Sequence, residues 1–297
     1  MEIILKYWEI VLRAYQGYAD YLLSEITFDY SYKPWWENYF WFLIVISLIF
    51  FGLEAIKPWR ERQSRFRQDF WLDVFYMFFN FFLFSLVIFN AAFDVFVNAF
   101  NDFLSLFGLT NIVSIHIEQW PRFAQLFVLF ITRDFIHWWI HRLLHRVPAL
   151  WKFHKVHHSV QEMGFAAHLR YHWMENVVYR GLEYIPIAMI GFGIDDFFIV
   201  HIFALIVGHW NHANLNIDIG PLKYIFNNPR MHIWHHAKHI PSKYGVNFGI
   251  TLSTWDYLFG TAHIPYDGRD IPLGFEQVED FPKTFEEQAL IGLKKNT

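Results

Sequence analysis

The sequence predicts an all-α integral membrane protein, a transmembrane helical bundle of about three spans plus a re-entrant helical hairpin, carrying a cytoplasmic helical cap. Three observations predict it. Of 297 residues, 55% are hydrophobic and 22% aromatic while 18% are charged, a balance foreign to ordinary soluble domains. Several apolar runs approach or reach the length that crosses a bilayer. Fifteen of the seventeen histidines fall between residues 137 and 239, nearly all at helical spacing from another.

Each element follows from charge-free length. The N-terminus, MEIILKYWEI, lacks a basic region followed by an apolar stretch and a small-residue cleavage site, so no removable signal peptide is expected. Tyr39 to Leu53 is a fifteen-residue uncharged run. It reaches spanning length when the helix starts near Pro34, a residue tolerated in a first turn. Val74 to Phe93 is uncharged for twenty positions between Asp73 and Asp94, enough to cover about 30 Å as a helix. Phe123 to Ile140 is the third span, and Arg133, Asp134 and His137 require its C-terminal half to lie in protein or at the interface. Tyr184 to Ile194 and Phe197 to Val207, split around Gly193, Asp195 and Asp196, are each too short to cross alone and read as a hairpin that returns to its starting side.

Charge orients these spans. Lys57, Arg60, Arg62, Arg65 and Arg67 place the first loop in the cytoplasm, whereas Asp94 to Gln119 holds acids without Lys or Arg and is external. The third span then returns to the cytoplasm at HRLLHR, among Arg142, Arg146, Lys152 and Lys155. No repeat, low-complexity tract or linker divides the chain, so residues 1–297 are expected to form one membrane-embedded domain.

Composition also excludes. A net charge of −4 without a long basic run argues against nucleic acid. The absence of cysteine removes disulfides, thiolate metal sites and iron–sulfur clusters, leaving nitrogen and oxygen ligands.

The histidines form three phased groups: His141 and His145 in HRLLH, His154, His157 and His158 in HKVHH, and His232, His235 and His236 in HIWHH. Offsets of three and four put each group on one helix face. A lone histidine on an apolar face is more often a hydrogen-bonded core residue than a ligand. Eight in three clusters outweigh that reading, because crowded imidazoles repel when protonated and need partners when buried. They also exceed the four ligands of a single zinc ion, which points to two metal ions. Spacing alone does not choose between zinc hydrolysis and iron-based dioxygen chemistry.

With those groups in hand, the sequence resembles the fatty acid hydroxylase and sterol desaturase superfamily, whose HX3H, HX2HH and second HX2HH boxes they match. RDFIHWWIHRLLHRVPALWKFHKVHHS, RYHWMEN, NHANL, NNPRMHIWHH and YGVNFGITLSTWDYLFGT extend the likeness over roughly residues 66–265. The resemblance implies a helical membrane bundle with a cytoplasmic cap and two iron ions held by His141, His145, His154, His157, His158, His232, His235 and His236, with His172 and His212 added. His137 could pair with His141 in place of His145. Some members carry a histidine four residues before the one at 212, where this chain has Gly208, with His209 next to it. His168 and His239 match no family position, and His116, His201 and His263 read as structural. Arg170 and Glu175 read either as groups that orient ligand imidazoles or as a surface ion pair. Asn247 and Asp256 are expected to fix turns and caps, and Asn80 to make an interhelical hydrogen bond.

The activity so implied is dioxygen-dependent hydroxylation of a membrane lipid of the sterol, fatty acyl, carotenoid or alkyl-glycerol class. Desaturation at the same site is the alternative, and membrane metal binding or transport a third reading. Electrons are expected from a separate reductase or ferredoxin-like donor on the cytoplasmic face, since no flavin fingerprint, haem motif or redox cysteine is present.

Overall fold

The computed structural model describes residues 1–31, 34–84, 117–184 and 194–293, with scattered positions between 95 and 108 and at 187 and 192. Among them the chain is helical and forms no strand, with isolated antiparallel bridges pairing Phe226 with Leu252 and Ala237 with Leu273.

Helix α1, Glu2–Thr27, was not anticipated. Ile4, Trp8, Leu12 and Tyr15 repeat at three and four residues and are exposed, so one face is an apolar stripe. The helix stops at Phe28, whose left-handed φ of 58° returns its N–H to Ser24 O. Buried Glu25 then accepts from Phe40 N (3.0 Å) and Asn38 Nδ2 donates to Glu25 O (2.8 Å), fastening α1 to the next helix.

Helix α2, Tyr39–Ile56, begins under an Asn38 cap bonded to Trp41 N at 3.0 Å. Among the described residues it is the one helix long and apolar enough to cross a membrane. Its inner face buries Tyr39, Leu43, Ser47 and Phe50, while Val45, Leu48, Ile49 and Leu53 face outward. Helix α3, Phe70–Phe78, continues into a π-helical turn over Phe79–Leu83. Residues 85–93, the rest of the predicted second span, lie outside the described residues, as does most of the loop expected to be external, including His116. The amide of Asn80 donates to Leu169 O (3.0 Å) and Tyr171 O (2.9 Å) and accepts from Asn176 Nδ2 (2.9 Å), bridging elements as expected.

Helix α4, Arg122–Arg146, extends the predicted third span through HRLLHR. Its charged positions are indeed set in protein: Arg133 Nε lies 2.6 Å from Glu183 Oε1, and Asp134 Oδ2 accepts from Leu252 N (3.2 Å) and Trp255 Nε1 (2.9 Å). Pro148 disfavours helical backbone at Val147, and α5, Pro148–His158, restarts with that proline in its first turn. A 3₁₀ turn, Phe165–Leu169, leads to α6, Trp173–Tyr179, followed by a second π-helical turn over Arg180–Tyr184.

Helix α7, Ile194–His212, holds the second arm of the predicted hairpin and runs past it to His212. Asp195 and Asp196 lie in its first turn, where acids complement the N-terminal dipole. Asp196 is buried in an ion pair with Arg122. Residues 185–191 and Gly193, the first arm, lie outside the described residues. Three short helices complete the chain: α8, Pro229–His235, α9, Thr254–Leu258, and α10, Phe285–Ala289. The last is tied back by Tyr76 Oη donating to Gln288 Oε1 (2.8 Å) and Trp173 Nε1 donating to Ala289 O (2.9 Å). A core of Leu43, Phe50, Phe70, Met77, Phe165 and Leu205 joins α2, α3, the 3₁₀ turn and α7.

Candidate metal centre

Four helix ends converge at one level. His141 and His145 close α4, His154, His157 and His158 close α5, His212 closes α7, and His232 and His235 lie on α8, with His236 as its C-cap. Their nitrogens fall into two groups. His141, His145, His154, His158 and His235 form one, and His157, His212, His232 and His236 the other, each with its ligand atoms within 4.8 Å of one another.

The hydrogen bonds on the far side of each ring test whether a cation fits. His141 Nδ1 donates to Phe248 O (2.7 Å), His157 Nδ1 to Arg170 O (3.0 Å), His212 Nδ1 to Gly208 O (2.8 Å) and His235 Nδ1 to Val246 O (2.8 Å). A carbonyl can only accept, so these bonds fix the proton on Nδ1 and leave a lone pair on Nε2. His154 Nδ1 is likewise engaged by Glu175 Oε2 at 2.7 Å. Yet Nε2 of His157 lies 3.3 Å from Nε2 of His212, both with Nδ1 committed to a carbonyl. Two lone pairs at that distance repel unless a cation lies between them. Moreover, Nε2 of His145, His158 and His235 is buried without a hydrogen-bond partner among the described residues, and in the other group Nε2 of His232 lies 3.0 Å from Nε2 of His212 and 3.2 Å from Nε2 of His236. Both groups therefore fit metal ions on their donor chemistry.

Burial supplies the required protonation state. It pushes His157 down to about 4 and His235 down to about 3, and holds His154 well below its usual range, so these imidazoles are neutral donors at pH 7. Burial raises the Glu175 carboxyl to about 8, opposed by the His172 N–H that it accepts.

The surroundings are built to hold the rings. Asp256 accepts from Phe248 N (2.9 Å), Gly249 N (2.8 Å), Trp138 Nε1 (3.0 Å) and Thr261 Oγ1 (2.6 Å), clamping the loop whose carbonyls orient His141 and His235. Asn247 sits between those carbonyls with a left-handed φ of 53°, its amide held by Met231 O and His263 O, both at 2.8 Å. These two residues fix turn geometry, as expected, and through it the rings. Arg170 is no surface residue: its guanidinium meets Asp69 (3.0 Å), Asp73 (3.2 Å) and Ser159 Oγ (2.9 Å), while its carbonyl takes the His157 proton.

Of the ten histidines anticipated as ligands, nine come together in these groups. His172 does not. It is the N-cap of α6, with Nδ1 accepting from Met174 N (3.1 Å), Nε2 facing Ala289 O (3.1 Å) and a reciprocal capping box with Glu175. His137 stacks on Tyr179 (4.4 Å) and bonds Glu183 (3.2 Å), so His141 pairs with His145. His168 and His209 face each other through their Nδ1 atoms at 3.0 Å. His239 is exposed beside Glu276, His263 packs edge-on against Trp234, and His201 lies 3.5 Å from Arg133.

A cavity of about 150 Å³ opens onto the histidines, lined by Asn80, Arg133, Tyr179, Glu183 and Leu205 among others. Glu183 and Tyr179 were missed in the sequence. The lone acid in RGLEYIPIAMIG was the available signal, since an ionisable group entering an apolar run is functional by default.

Comparison with known proteins agrees with this geometry. The model of the fatty acid hydroxylase family matches residues 126–261. An ornithine lipid hydroxylase from Rhizobium tropici is 33% identical over 148 residues, covering 50% of this chain and 44% of that protein. An alkylglycerol monooxygenase from Xenopus tropicalis is 35% identical over 134 residues, 44% of this chain and 29% of that one. A methylsterol monooxygenase from Arabidopsis thaliana is 26% identical over 141 residues, 46% of each. The chain thus spans less than half the length of these relatives. No solved structure matches it significantly.

Proposed function

We propose that this protein, whose residues 126–261 match the fatty acid hydroxylase family, is a di-iron monooxygenase of the fatty acid hydroxylase and sterol desaturase superfamily that hydroxylates a membrane lipid. The observation that carries the reading is the pairing of imidazole lone pairs whose protons are committed to Arg170 O and Gly208 O on the opposite ring edge. Iron, when bound, supplies the redox chemistry by which dioxygen, two electrons and two protons convert a C–H bond into C–OH and water.

The chain's own residues hold and orient. The five-histidine and four-histidine groups seat two ions, the carbonyls of Phe248, Val246, Arg170 and Gly208 keep four rings in the donating tautomer, Glu175 holds the His154 ring in place, and the cavity lets a substrate carbon approach. The lipid reaches the cavity from the bilayer. The relatives' names speak for ornithine lipid, alkylglycerol and methylsterol substrates, and a polar lipid of that breadth is the class proposed here. Electrons come from a separate reductase or ferredoxin-like donor.

The reading includes a single membrane-embedded domain with about three spans and a re-entrant hairpin, its metal centre on the cytoplasmic face. The basic loop Lys57 to Asp69 and the cluster Arg142, Arg146, Lys152 and Lys155 support that orientation. The testing experiment is metal content and lipid turnover on protein purified anaerobically with iron supplied. Two irons per chain, reduced to one by His157→Ala and to one by His235→Ala, with a reductase-dependent gain of one oxygen in a lipid, is the expected result. Loss of two hydrogens in the product would assign desaturation instead. Absence of stoichiometric metal would overturn the proposal.

A further inference from the structure

Nine histidines divide five and four between the two groups, and the anticipated tenth, His172, caps a helix. Resting on the reading of these groups as two metal positions, we propose that His168 supplies the fifth nitrogen donor of the four-histidine position.

His168 sits in the 3₁₀ turn Phe165–Leu169 with its ring laid over Gly208 of α7. A Cβ added at position 208 would lie 2.1 Å from both Cε1 and Nε2 of that ring. The imidazole thus fills the space a side chain at 208 would claim. Position 208 is one turn before His212 on the same helix face, so the His168 ring occupies the space on that face next to His212. Its ring centroid is 5.2 Å from that of His212, and it lines the same cavity as His157, His212 and His232. It stands beside the four nitrogens that lie within 4.8 Å of one another, the place of a donor that closes once the ion is seated.

The orientation fits as well. His168 Nδ1 lies 3.0 Å from His209 Nδ1, so the Cε1–Nε2 edge of the His168 ring is the one laid over Gly208.

The test uses full-length protein in detergent, stripped of metal and titrated with Co(II), whose visible bands report coordination number. The wild type is expected to bind two ions. His168→Gln should keep the five-histidine position, which also reports that the variant is folded, and weaken the other by roughly tenfold or more with intensified bands. The double change His168→Ala with Gly208→His, which moves an imidazole onto α7, should restore the second ion. His172→Ala should leave both binding steps in place. Unchanged affinity and spectrum in His168→Gln, equal loss at both positions, or no rescue by the double change would each overturn the role of His168. A wild type that binds no stoichiometric Co(II) would instead sink the two-metal reading beneath it.

Discussion

Glu175 joins two tasks in one carboxylate, since Oε2 meets His154 Nδ1 at 2.7 Å while Oε1 accepts from His172 N at 3.2 Å. Replacing it by Ala leaves a buried ring nitrogen unpaired and frees His154 to turn. Glu175→Ala is expected to weaken metal retention at the five-histidine group by about 10- to 100-fold, with Glu175→Gln milder, as read by metal content after dialysis against a graded chelator. At this scale the sequence was informative about local spacing and silent about partners. The offsets in HRLLH, HKVHH and HIWHH are helical facts, legible at once. The split of HKVHH, with His154 and His158 in one group and His157 in the other, depends on which helix faces which ring. So does the capping role of His172. The carbonyls of Val246, Phe248, Gly208 and Arg170 leave no mark in the sequence, because every residue has one.

Among the elements, the π-helical turns after α3 and α6 flank the cavity, and Asn80 in the first bonds Asn176 of the helix that leads into the second. Such turns recur at functional sites. Asn80→Ala removes three hydrogen bonds at a buried position and strands two carbonyls, each unsatisfied group costing about 1–3 kcal/mol. A lowered thermal midpoint, measured in detergent with and without added metal, is the expected outcome, and an unchanged midpoint would contradict it. Apolar length disclosed α2 and most of α4, because hydropathy is additive along a chain. Helix α1 went unread although Ile4, Trp8, Leu12 and Tyr15 carry its period, since an amphipathic stripe has no long apolar run. The stripe is exposed and suits a helix lying along a membrane interface. The Asp195–Asp196 pair marks the start of α7, a place where helices accept acids readily.

Across the whole molecule, the centre is closed by segments distant in the chain. The bond from His141 to Phe248 O spans 107 residues, Trp138 to Asp256 spans 118, and Tyr76 to Gln288 spans 212. Chain-wide contacts of this kind are what local sequence patterns cannot carry, which is why the boxes were legible and the clamp around them was not. They also impose an order on biogenesis. A ribosome presents the apolar segments through α4 long before it reaches Val246 or Asp256, so insertion into the bilayer and completion of the metal pocket are separate events. A chain ended after residue 245 is therefore expected to remain with the membrane fraction while retaining no iron, checked by fractionation and metal analysis of the same sample. On the proposed reading, the interval between those events leaves a membrane-anchored intermediate whose imidazoles are open to whichever divalent ion arrives first. Which metal the finished protein holds is then decided partly by the supply present during its synthesis.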